Sequence, residues 1–62
     1  MVNLNPYEAR ILTVMLKKNR WMTITEIAHF TRFSWNTVEK YIKRIYSRGW
    51  IAKNRNYWKA RR

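Results

Sequence analysis

The sequence predicts an α+β domain, mostly α, in which three helices lead into a short C-terminal β-hairpin. Three observations point there. Apolar residues recur at helical spacing in three segments, each preceded by a residue suited to cap a helix. Beyond Gly49, the only glycine, two aromatic-rich runs at 50–53 (WIAK) and 57–60 (YWKA) enclose Asn54-Arg55-Asn56 as strands enclose a tight turn. The length of 62 residues, 47% of them apolar and including four Trp, four Tyr and two Phe, suits one packed core and leaves no room for a second. With no repeat, low-complexity stretch or linker, residues 1–62 read as a single domain.

The first helix opens at Asn5-Pro6-Tyr7-Glu8. Asn5 can accept from the N–H groups freed at a helix start, Pro6 suits the first helical position, and Glu8 closes a capping box; a helix is predicted over 6–18. Turned by about 100° per residue, Tyr7, Ala9, Ile11, Leu12, Val14, Met15 and Leu16 sweep over half its circumference, leaving a strip with Arg10, Thr13 and Lys17. So wide an arc fits a central helix flanked by two others, or a self-association face that would support a homodimer. A second box, Thr23-Ile24-Thr25-Glu26, precedes Ile27, Ala28 and Thr31 and predicts a short helix over 24–31 that stops near Arg32-Phe33. From the cap Ser34 onward, Val38, Tyr41, Ile42 and Ile45 form one stripe and Gly49 supplies a left-handed stop after Arg48, so the third helix is predicted over 35–48. The hairpin is predicted over 50–60. With Asn54 and Arg55 as its loop, Ile51 would pair with Trp58 across the strands and pin the hairpin to the helices. Two strands alone are marginal in water, so a third short strand near Trp21-Met22 would support them. Trp21, Trp50 and Trp58 are read as core or strand anchors.

Charge narrows the function. Fourteen Lys and Arg against three acids give a formal +11, a field that favours polyanions, nucleic acid first among them. The surplus is uneven: residues 1–39 hold five basic residues and all three acids, whereas 40–62 hold nine basic residues and no acid. Opposite its apolar stripe, the third helix carries Asn36, Lys40, Lys43, Arg44 and Ser47, a polar face with three cations. The absence of cysteine excludes disulfides and thiolate zinc sites. With no apolar run of membrane-spanning length and no secretory leader pattern, a cytoplasmic, nucleoid-associated location is expected, without membrane partners.

The order of these segments resembles a winged helix-turn-helix domain, as in MarR-like and related bacterial and archaeal regulators. The likeness covers residues 5–60 and is carried by TITEIA in the second helix, FSWNTVEKYIKRI in the cap and third helix, and YSRGWIAK at the helix end and first strand. Positions that recur in the family fall on Ile27-Ala28, Ser34, Thr37-Val38 and Arg48-Gly49. The chain departs from the pattern at Arg32, where a glycine usually precedes the recognition-helix turn, and in the shortness of its hairpin. Its small size, without additional dimerisation helices, is similar to small archaeal or viral regulators. What the resemblance implies is a double-stranded DNA-binding protein and transcriptional regulator, with the third helix in the major groove and the hairpin as a wing.

A recognition helix docks through its N-terminal residues, so Ser34, Trp35, Asn36, Thr37, Glu39, Lys40 and Lys43 would face the duplex. Trp35, Asn36, Thr37, Lys40 and Lys43 are the candidate base readers. Asn36 can bond adenine through N6 and N7, whereas Lys40 and Lys43 can reach guanine or only phosphate. Trp35 can pack against the second helix, stack on sugar or touch a thymine methyl. Arg32, Ser34, Arg44, Lys53, Arg55 and Lys59 are candidate backbone contacts, with Arg61 and Arg62 adding attraction, and Ser34 also has a plain role as cap. Asn54, Arg55 and Asn56 form the wing tip, where Arg55 suits a narrow minor groove.

Catalysis finds little material. There is no Asp; Glu8 and Glu26 belong to capping boxes, which leaves Glu39, and His29 has no partner at metal-ligand spacing. A single glycine makes no phosphate-binding loop. The expectation is a non-enzyme without metal, cofactor or small-molecule ligand. Nonspecific DNA or RNA binding, a chromatin-coating role, or a protein-docking winged helix remain alternatives to sequence-specific regulation.

Overall fold

Each helix starts where a side chain takes over the backbone hydrogen bonds that the first turn lacks. The computed structural model describes residues 4–61. In α1 (Pro6–Lys18) the capping box is complete: the Glu8 N–H donates to Asn5 Oδ1 at 2.8 Å and the Asn5 N–H donates to Glu8 Oε1 at 3.2 Å. The box of α2 (Ile24–Thr31) repeats this between Thr23 and Glu26, at 3.2 and 3.3 Å. In α3 (Trp35–Ser47) the Thr37 N–H donates to Ser34 Oγ at 3.2 Å.

The helix ends depend on backbone sign. Asn19, Arg32 and Gly49 take φ of 51°, 64° and 81°, and each reverses the chain after a helix. At Gly49 this is the left-handed stop the sequence predicts; α3 itself ends at Ser47, with Arg48 as its cap. Arg32 does without glycine what the winged-helix pattern normally assigns to one. Its N–H reaches the Ala28 carbonyl at 2.8 Å, and the Thr31 hydroxyl donates to the Ile27 carbonyl at 2.7 Å, which closes the last turn of α2.

The hairpin comprises β1 (Ile51–Asn54) and β2 (Tyr57–Ala60), antiparallel, with Ile51 opposite Ala60 and Lys53 opposite Trp58. Its loop is therefore Arg55-Asn56, not Asn54-Arg55, and Ile51 does not pair with Trp58. Arg55 at φ 58° supplies the positive dihedral that a two-residue loop needs at its first position. The register moves by two residues, a full pleat repeat, so Ile51 and Trp58 still share the inner face. Met22 forms the short third partner: it exchanges two backbone hydrogen bonds with Trp58, at 2.8 and 2.7 Å. Strand alternation then turns Met22 inward and Trp21 outward; Trp21 is 41% exposed and lies outside the core.

The core gathers Ile11 and Met15 of α1, Ile27 of α2, Val38, Ile42 and Ile45 of α3, and Met22, Ile51, Trp58 and Ala60 of the sheet. α1 packs against α2, α3 and β2, which accounts for most of its wide apolar arc. Leu12 and Val14 lie half-buried against the core, and Tyr7 stacks on Tyr41 with ring centroids 5.2 Å apart. The result is a three-helix layout with a hairpin wing, which holds the polar face of α3 outward beside the wing.

Candidate nucleic-acid interface

The buried stripe of α3 sets which of its residues can meet a ligand. With Val38, Ile42 and Ile45 fully buried, the helical repeat turns Asn36, Lys40, Lys43 and Ser47 to solvent as a central ridge. A groove lies on either side.

The larger groove, about 570 Å³, runs between α3 and the wing. Trp35, Glu39 and Lys43 line its helical wall, Lys53, Arg55, Asn56 and Trp58 its wing wall, and Thr23, Ile24 and Thr25 its end. Three cations from two elements thus share one concavity with a single carboxylate. Lys53 is held there by the ring of Trp58, with Nζ 5.1 Å from the centroid, and Tyr46 meets the same ring edge-on at 5.6 Å. Trp35 is 47% exposed and stands at the groove wall beside Ile24 and Thr25. The Lys43 ammonium lies 3.8 Å from Glu39 Oε2, an i,i+4 pair on an exposed surface.

The smaller groove, about 300 Å³, is lined by Tyr7, Asn36, Thr37, Lys40 and Tyr41. Tyr41 carries two cations over its ring, Lys40 Nζ at 5.3 Å and the Arg44 guanidinium at 5.4 Å, and is itself braced by Tyr7. Aromatic support of this kind holds long basic side chains near the surface rather than free in water.

The residues singled out from sequence thus divide. Trp35, Lys43, Lys53, Arg55 and Asn56 come together in the large groove, and Asn36, Thr37 and Lys40 in the small one. Arg44 flanks the latter. Ser34 is occupied as the α3 cap, its Oγ 2.8 Å from Thr37 Oγ1. Asn54 is exposed at the end of β1, outside the lining of either groove. Lys59 pairs with Ala52 on the opposite face of the hairpin from Trp58, which directs it away from the large groove. Arg32 borders a separate depression with His29 and Phe30, and Arg61 borders one with Leu4, Leu12, Leu16, Gly49 and Trp50. Arg62 lies outside the described residues. Thr25 and Ile24 were not singled out; their signal was the Thr23 box, which starts α2 at the mouth of the groove.

The acids are mostly committed elsewhere. Glu26 accepts the Thr23 backbone N–H and pairs with Arg20 at 3.0 Å, and these contacts hold its carboxyl below the ordinary value of 4.5. Glu8 is buried in its capping box. Among the described residues no three His, Asp or Glu side chains converge as a metal site, and no helix is long and apolar enough to cross a membrane.

No family profile, curated protein or solved structure matches this chain. Its chemistry is therefore to be read from the two grooves and the ridge between them.

Proposed function

We propose that this protein binds double-stranded DNA in a sequence-specific manner and acts as a transcriptional regulator, with α3 entering the major groove and the wing beside it. One observation carries the reading: cations of α3 and of the hairpin, Lys43 with Lys53 and Arg55, converge on one groove, while Asn36 and Lys40 crown the adjoining ridge. A single solvated charge run would not need two elements to converge. A helix flanked by cations suits a major groove about 12 Å wide bordered by phosphates. The resemblance to winged helix-turn-helix regulators supports the same docking.

The chemistry divides the labour. Asn36 is the base reader, since its amide can donate to N7 and accept from N6 of adenine. Lys53 and Arg55 on the wing and Arg44 beside Tyr41 contact phosphate, which positions the helix without specifying sequence. Lys40 and Lys43 reach either guanine edges or phosphate.

Selection from random duplexes tests this directly. Enrichment of one motif supports a regulator; retention without enrichment, with steep salt dependence, supports a coating protein; no retention supports protein docking. In the regulator, Asn36→Ala relaxes preference at one base position, whereas Lys53→Ala weakens matched and scrambled duplexes alike. Equal effects of both variants on both duplexes would remove Asn36 as reader.

A further inference from the structure

Glu39 is a carboxylate where a phosphate-binding surface would be expected to carry none. The other two acids in the described residues have structural employment, Glu8 and Glu26 each closing a capping box. α3 has no such box: the third residue after its cap is Thr37, so Glu39 lies beyond the reach of helix initiation. It lines the large groove between Trp35 and Lys43, opposite Lys53 and Arg55. Its pairing with Lys43 is too weak to explain its place, because the 3.8 Å separation is long for a charge-assisted hydrogen bond and the Lys43 side chain is 67% exposed. Glu39 itself remains 37% exposed and open to a ligand.

Resting on the DNA reading above, we propose that Glu39 is a specificity-determining residue that accepts a hydrogen bond from the exocyclic amino group of a cytosine, with Lys43 beside it free to contact the neighbouring guanine or phosphate. A carboxylate offers only acceptors, so it repels phosphate and is satisfied on a base edge only by an amino group; in the major groove cytosine N4 is its characteristic partner. Trp35 on one side and the wing on the other flank that contact, and a base that presents an acceptor there instead would leave the carboxylate unpaired.

The test is parallel selection from random duplexes with the wild-type chain, Glu39→Gln and Glu39→Ala, each first shown by circular dichroism to melt as a folded domain. The wild-type motif is expected to contain a cytosine that Glu39→Gln exchanges for adenine, since the amide matches N6 and N7, and that Glu39→Ala no longer specifies. Replacing that cytosine should cost the wild-type chain on the order of tenfold in affinity, and the Ala variant much less. Random duplexes should bind both variants more tightly than wild type, because a repulsive charge is gone. A motif unchanged in both variants would overturn the assignment and leave DNA recognition standing. A wild-type chain that retains no duplex, or enriches no motif, would overturn the sequence-specific reading and the assignment with it.

Discussion

Arg55 sets stability against binding, and replacing it with glycine should move the two in opposite directions. The residue sits at φ 58°, where an L side chain crowds the following carbonyl at a cost of about 1–2 kcal/mol. Glycine removes that cost but gives back about 0.4–1 kcal/mol through the greater freedom of the unfolded chain. At the middle of both ranges the net gain is about 0.8 kcal/mol. In a domain of this size that raises the melting temperature by roughly 2–8 °C. The same substitution deletes a groove-lining cation, and one lost phosphate contact should lower the slope of log affinity against log salt by about 0.9. Thermal melts followed by circular dichroism and fluorescence anisotropy with a duplex across a salt series give the two readings. A lower melting temperature would refute the argument from backbone conformation; an unchanged slope would refute the phosphate contact. That so strained a turn holds Arg rather than Gly agrees with a residue kept for what it touches.

Other perturbations separate structural from binding roles. Ser34→Ala removes the α3 cap and should cost about 1 kcal/mol, seen as a lower urea midpoint, with the DNA affinity of the folded protein unchanged; a weaker affinity at equal folded fraction would assign Ser34 to phosphate as well. Ile42, fully buried on the inner face of α3, should cost about 2–5 kcal/mol when replaced by alanine, a large share of the stability of so small a domain; a loss below 1 kcal/mol on urea unfolding would contradict the packing described. The depressed Glu26 pKa contributes stability that is complete above the unfolded value and lost as pH falls through the folded one. Melting temperature should therefore drop as pH decreases below about 4.5, and less steeply in Glu26→Gln; superimposable pH profiles would rule out this linkage.

What the sequence made legible was mainly where helices begin. Asn5 with Glu8, Thr23 with Glu26, and Ser34 each announce a first turn through side-chain chemistry that acts within four residues, and all three caps stand as read. Endings are harder because they rest on backbone conformation. Gly49 declares a positive φ, but Arg32, at the junction of α2 and α3, and Arg55, in the loop closed by the pairing of Asn54 with Tyr57, adopt one without any compositional sign. For the same reason the hairpin loop lies one residue later than composition suggests, with the inner face preserved by the two-residue periodicity of a strand. Trp21 lies outside the core although its size suggests an anchor, because a large aromatic says nothing about which side of a strand it occupies; the bonds of Met22 to Trp58 decide that. Of the candidate interface, the polar face of α3 was readable from its helical period. Its division into two grooves was not, since that depends on Tyr7 returning to Tyr41 and on the wing folding back toward Lys43.

Amide chemical shifts of the ¹⁵N-labelled protein during titration with a selected duplex decide whether the outward side of α3 and the adjoining wing form one surface for DNA. Perturbations should concentrate at Trp35, Asn36, Glu39, Lys40, Lys43, Lys53 and Arg55. Perturbations confined to the α1 groove lined by Arg10, Lys17 and Lys18, with those residues unmoved, would contradict that reading.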